Sequence, residues 1–105
     1  MPAPTKAERA RFRAMQDLGC IACRPRVRAP DIHHLVEGYR LGHSYTIPLC
    51  EWHHRGVTFN GMTKERMEEI LGASLAVNKR AFITQFGTER ELLAEVNELL
   101  KKEGQ

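Results

Sequence analysis

The 105-residue sequence predicts a small α+β domain: an N-terminal helix, a zinc-knuckled β-hairpin running into a short helix, and a helical C-terminal layer. Three observations carry this prediction. The length suits one domain built on one modest core. All three cysteines and all five histidines fall between residues 20 and 54, around two short runs of strand-forming residues. Beyond them, apolar residues recur at helical spacing and turn residues punctuate the segments.

The first helix starts at a capping box, Thr5-Lys-Ala-Glu8, in which side chain and backbone at each end satisfy one another. Phe12, Met15 and Leu18 then face a core, and Gly19 stops the helix just before Cys20. "RPRVRAP", with prolines at 25 and 30, reads as a loop. "DIHHLV" and "YTIPL" read as strands that pair as a hairpin, joined by a turn in "EGYRLGHS" that carries Gly38 and Gly42. Helical character returns at "EWHHRG". "TKERMEEILG" places Met67, Ile70 and Leu71 on one side, and "AVNKRAFITQFG" offers Val77, Ala81, Phe82 and Phe86. A second capping box, Thr88-Glu-Arg-Glu91, opens the clearest amphipathic helix, with Leu92, Leu93, Val96, Leu99 and Leu100 on one stripe. These stripes read as core. With no repeat, low-complexity tract or linker in view, residues 1–105 are expected to form a single domain, with its core over about 20–56 and a helical layer over about 63–103.

Composition is that of an ordinary globular chain, 42% hydrophobic and 28% charged. The net charge of +3 is unevenly placed. From Lys6 to Arg28, the bases Lys6, Arg9, Arg11, Arg13, Arg24, Arg26 and Arg28 face only Glu8 and Asp17, whereas acids outnumber bases five to three from Thr88 onward. Such a bias suits a nucleic-acid partner or simply a solvated helix face. No apolar run approaches the roughly 18–20 residues of a membrane span, and the N-terminus lacks the apolar stretch of a secretory signal. A cytoplasmic protein is expected. An odd number of cysteines argues against a pure disulfide framework.

Cys20-x-x-Cys23 and Cys50-x-x-His53 form two short knuckles separated by 26 residues. Together they supply a Cys3His set suited to tetrahedral structural zinc. Thiolate favours a soft or borderline ion, of which zinc is redox-silent. Three buried free thiols, or a redox pair at Cys20 and Cys23, are the alternatives; a redox disulfide has no need of the second knuckle. His33, His34, His43 and His54 remain. On a helix His54 points about 100° away from His53, so the two can serve different sites. On a regular strand His33 and His34 point to opposite faces, and both serve one reaction only where the strand distorts or ends.

The order CxxC, His-His on a strand, a hairpin, then Leu49-Cys50-Glu-Trp-His53-His54 resembles the HNH, or ββα-metal, endonuclease superfamily. The narrower wording "HHL…GYRLGHSYTIPLC", followed by "HHRG" and downstream "FGTERELL", is similar to the phage recombination-enhancement, RecA-dependent nucleases. The core of the resemblance spans about residues 20–56 and its weaker extension reaches about 96. It implies a zinc-stabilised ββα-metal core and hydrolysis of DNA phosphodiester bonds to a 3′-hydroxyl and a 5′-phosphate. By position it implies His33 and His54 as ligands of a catalytic divalent ion and His34 as the general base. A histidine, His53, stands where the family usually has its fourth cysteine. No Asn lies a few residues before Leu49; His43, Ser44 and Tyr45 stand there, and His43 is taken as the residue that orients the base or joins the metal site.

The chemistry is coherent with that assignment. A divalent ion with two protein ligands keeps positions open for phosphate and water, and Mg2+ is a plausible working ion, although imidazole also accepts Mn, Ni or Zn. A neutral imidazole at His34 can take a proton from water. Arg40, Arg55, Arg9 and Arg13, with Arg11 beside them, are candidates for contact with DNA phosphates. No base-reading pattern is visible. Dependence on a RecA-type recombinase filament follows from the resemblance alone, and the 19 residues before Cys20 are shorter than the basic N-terminal extension some relatives carry. A zinc module that binds DNA or protein without catalysis is the competing reading; it requires His53 but not His33, His34 and His54 together.

Overall fold

A computed structural model describes residues 2–23 and 29–102 of the chain. The expected loop at "RPRVRAP" and the bases Arg24, Arg26 and Arg28 fall largely or wholly outside the described residues. The element order is α1 (Lys6–Leu18), β1 (Asp31–His34), β2 (Thr46–Leu49), α2 (Glu51–Arg55), α3 (Lys64–Leu71), α4 (Lys79–Phe86) and α5 (Glu89–Lys102). No helix of the described residues is long and apolar enough to cross a membrane.

Local chemistry sets the ends of these elements. Thr5 and Glu8 close the capping box of α1, and Gly19 accepts the left-handed φ of 86° that ends it. Thr88 and Glu91 make the same reciprocal bonds at the start of α5, at 2.8 and 3.1 Å. Thr63 and Asn78 cap α3 and α4 through their side chains.

β1 and β2 pair antiparallel with His33 opposite Ile47 and His34 opposite Thr46. The ladder is shorter than the sequence suggests. After His34 the chain leaves the strand, and a tight bridge between Val36 and Arg40 carries the turn, leaving Val36 exposed. All of β2 is buried. On its other side the backbone N–H of Ile21 donates to the Pro48 carbonyl at 2.9 Å, which seats the Cys20–Cys23 knuckle beside the hairpin.

The core gathers Met15 from α1, Ile47 and Leu49 from β2, Trp52 from α2, Met67, Phe82, and Leu92, Val96 and Leu100 from α5. The expected stripes are thus largely core, with two exceptions. Ile70 and Val77 are 51% and 42% exposed. Met67 and Leu71 lie within about 40° of one another around the helix, while Ile70 falls about 60° to the other side, so a two-turn helix packed through Met67 leaves Ile70 outside. Val77 precedes α4 and lies over Gly56 instead.

Arg11 is a second departure. Its guanidinium donates to Thr46 Oγ1 and the Thr46 carbonyl at 3.1 and 2.7 Å, and to Asn97 Oδ1 at 2.8 Å. It ties α1, β2 and α5 together.

Candidate functional site

The two knuckles meet. Cys20 and Cys23 follow α1, Cys50 is the N-cap of α2 and His53 lies within that helix. Their four ligand atoms lie within 4.8 Å of one another and all four residues are buried. His53 Nδ1 is 3.5 Å from Cys20 Sγ, 3.5 Å from Cys23 Sγ and 3.2 Å from Cys50 Sγ, and the Cys23 and Cys50 sulfurs are 3.7 Å apart. A tetrahedron with zinc–sulfur bonds of about 2.3 Å and a zinc–nitrogen bond of about 2.0 Å has sulfur–sulfur edges near ~3.8 Å and sulfur–nitrogen edges near ~3.5 Å. The four observed edges are within about 0.3 Å of these values.

The rest of the His53 ring is arranged to match. Nε2 donates to the Leu71 carbonyl at 2.8 Å, which leaves Nδ1 with its lone pair toward the sulfurs. Hydrogen bonds from the Cys23 and Cys50 thiols pull the Cys20 thiol down to about 3, while contact with Cys20 and Cys50 pushes Cys23 up. One thiolate is favoured and a second one beside it is resisted. Only a cation at the centre lets several ionised sulfurs share this buried volume. The residues therefore fit a metal ion, consistent with structural zinc.

His53 and His54 diverge as helical neighbours should. His53 is buried among the sulfurs, and His54 turns to β1, where its Nδ1 lies 2.9 Å from Asp31 Oδ2. His33 projects to the same side. Its ring centroid is 5.0 Å from that of His54, and its Nε2 lies 2.7 Å from Glu89 Oε2 at the start of α5. Four potential ligands, from β1, α2 and α5, thus line one side of the hairpin.

His34 is the last residue of β1 and projects the other way, toward α1. Its Nε2 lies 2.9 Å from His43 Nδ1, and His43 Nε2 lies 2.8 Å from the Pro2 carbonyl. A carbonyl only accepts, so His43 carries its hydrogen on Nε2 and accepts at Nδ1. His34 then donates from Nε2 and keeps its lone pair on Nδ1. Burial lowers the His34 pKa below its ordinary value, helped by the positive charge of Arg40. The shift favours the neutral ring, whose basic atom is Nδ1. The structure therefore sorts the sequence candidates into two pairs, His33 with His54 and His34 with His43, on either side of the end of β1.

Among the arginines, Arg55 gives its Nε to Asp31 Oδ2 at 2.8 Å and is otherwise half exposed. Burial raises the Asp31 pKa, but hydrogen bonds from Arg55 and His54 outweigh it and hold the carboxyl below its ordinary value. Arg40 lies with His43 along a cavity of 660 Å³ that Pro2, Thr5 and Glu8 also line. Arg9 and Arg13 are exposed on α1, and Arg9 also donates to the Pro4 carbonyl at 2.8 Å.

Sequence reasoning missed Asp31 and Glu89. Asp31 was within reach, because strand alternation puts residues 31 and 33 on one face. Glu89 lies 56 positions from its partner His33 and left no local signal.

The sequence model of a family described as "Recombination enhancement, RecA-dependent nuclease" matches residues 4–101. Among curated proteins none matches the chain.

Proposed function

The chain belongs to this family of RecA-dependent nucleases, and from that premise we propose that it is a metal-dependent DNA endonuclease of the HNH, ββα-metal type, of phage or prophage origin, serving recombination or repair. The observation that carries the reading is the pairing of His34 with His43, which presents a neutral imidazole with its lone pair on Nδ1 at the end of the strand that also carries His33. The core of the nuclease domain is the hairpin and α2, over about residues 20–56, and the whole chain forms one domain around it. Zinc at Cys20, Cys23, Cys50 and His53 stabilises the hairpin and the start of α2, on which the other histidines are mounted.

In this reading His33 and His54 hold the catalytic divalent ion, with Mg2+ as the working ion. That ion supplies positive charge to the phosphate and the leaving oxygen. His34 takes the proton from the attacking water at Nδ1. His43, anchored on the Pro2 carbonyl, keeps the His34 ring in the tautomer and orientation that this requires. Arg40, Arg55, Arg9 and Arg13 hold the DNA backbone through its phosphates, which gives affinity without reading sequence. Arg11 is spent inside the fold and is left out of that surface. A RecA-type filament is the partner that delivers the DNA.

The test is plasmid nicking with Mg2+ or Mn2+, with and without RecA and single-stranded DNA, comparing wild type with His34→Ala. Loss of about 10²–10⁴-fold in rate in a folded, zinc-containing His34→Ala variant supports the reading. Undiminished nicking removes His34 as the base. No nicking under any of these conditions favours a zinc module that binds DNA or protein without cutting.

A further inference from the structure

Both histidines assigned above to the catalytic ion give one ring nitrogen to a carboxylate. His33 Nε2 meets Glu89 Oε2 at 2.7 Å, and His54 Nδ1 meets Asp31 Oδ2 at 2.9 Å. The first pair is well shielded, with side chains only 17% and 18% exposed. An ionised carboxylate only accepts, so each contacted nitrogen carries a hydrogen. The lone pair is then left on Nδ1 of His33 and on Nε2 of His54, the two nitrogens a cation can use.

One oxygen of each carboxylate is also held by a base. Asp31 Oδ2 also takes Arg55 Nε at 2.8 Å, and Glu89 Oε1 lies 3.6 Å from Lys79 Nζ. An oxygen held by an arginine or a lysine is a poor donor to a second cation. Among the described residues, the one group whose ligand atoms are mutually close enough to hold an ion is the Cys20, Cys23, Cys50 and His53 cluster, so Asp31 and Glu89 do not complete a second such shell with His33 and His54. Their geometry suits ring orientation better than direct ligation.

We propose that Glu89 and Asp31 are positioning residues for the catalytic ion: each holds one ring nitrogen of His33 or His54 and so turns the other nitrogen toward a shared divalent cation. The proposal rests on the reading of His33 and His54 as ligands. It gives the C-terminal layer a part in the site, because Glu89 is the first residue of α5 and the Thr88–Glu91 capping box fixes its place.

The experiment is Mn2+ titration of the full zinc-loaded chain, followed by electron paramagnetic resonance of free Mn2+ and by water-proton relaxation of the bound ion. Wild type, His33→Ala, Glu89→Ala, Glu89→Gln and Asp31→Ala are compared, with zinc content and melting temperature measured on each. Glu89→Ala and Asp31→Ala should each weaken Mn2+ about ten- to hundredfold, with the number of exchangeable waters on the ion and the zinc content unchanged. Glu89→Gln keeps an acceptor for His33 and should recover part of the affinity. If Glu89→Ala does not fold, Asp31→Ala carries the test, and a Mn2+ affinity equal to wild type in that variant overturns the proposal. Unchanged affinity in both alanine variants overturns it too. One extra water on the ion in each variant overturns it in favour of direct ligation. A wild-type chain whose Mn2+ binding is indifferent to His33→Ala sinks the underlying reading of the ligands, and the proposal with it.

Discussion

At His34 two hydrogen bonds in series decide which nitrogen can act. The Pro2 carbonyl fixes His43, and His43 fixes His34, so the basic atom is Nδ1. Burial keeps that ring neutral to lower pH than a free imidazole, whose pKa is about 6.5. In the proposed mechanism the active form is the unprotonated one, so kcat/KM should rise with pH through the His34 pKa. The acid limb of the profile is expected below pH ~6.5, and a midpoint above that value contradicts the assignment. The arginines separate by the same close reading. Arg11→Ala removes three charge-assisted hydrogen bonds and should lower stability by about 2 kcal/mol in denaturant unfolding. Arg9→Ala and Arg13→Ala should leave unfolding unchanged and lower the salt dependence of DNA binding by up to about one phosphate each. The cysteines, His53 and the divergence of His54 were legible because short spacings fix their geometry. Arg11 looked like part of a basic track because sequence gives charge but not the Thr46 and Asn97 oxygens that absorb it.

The element that matters most is β1, four residues long. A strand sends neighbours to opposite faces, and this one ends at His34, so His33 joins α2 and α5 while His34 joins α1 and the hairpin turn. The existence of the hairpin was readable from β-forming residues and flanking glycines. Its length was not, because the Val36–Arg40 bridge replaces the outer rungs. Helix starts were readable where side chain and backbone cap each other, as at Thr5 and Thr88. Gly72 marks the other end of the problem. It terminates α3 at φ 88°, and its carbonyl accepts the Trp52 indole N–H at 2.9 Å. A Cβ there would sit 2.5 Å from Gln85 Nε2 and 2.8 Å from Phe86 Cζ. Gly72→Ala should therefore cost about 1–3 kcal/mol in unfolding free energy; a variant as stable as wild type contradicts this packing.

Over the whole molecule, the Cys3His cluster joins the end of α1 to the start of α2 across the hairpin. A chain of this size buries a modest core, and structural zinc in small modules contributes about 10–16 kcal/mol of apparent binding free energy. That is comparable to the entire stability of a typical domain, about 5–15 kcal/mol. Stripping the metal with a strong chelator should abolish the cooperative melting transition, and zinc should restore it; an undisturbed melt in the chelated, zinc-free protein contradicts the structural role. The α+β class and the helical C-terminal layer were legible from periodicity. That this layer reaches the histidines through Glu89 was not, since long-range approach is written in packing rather than in local pattern.

The central claim is that one ion braces the scaffold while a separate ion, held by His33 and His54, supports strand cleavage. The most direct measurement is Mg2+-dependent cleavage of RecA-paired plasmid by wild type and by a His33→Ala, His54→Ala double variant, with zinc quantified in both. The account predicts one zinc per chain in each protein and cleavage by wild type alone. A double variant that retains its zinc and cuts at the wild-type rate would contradict it.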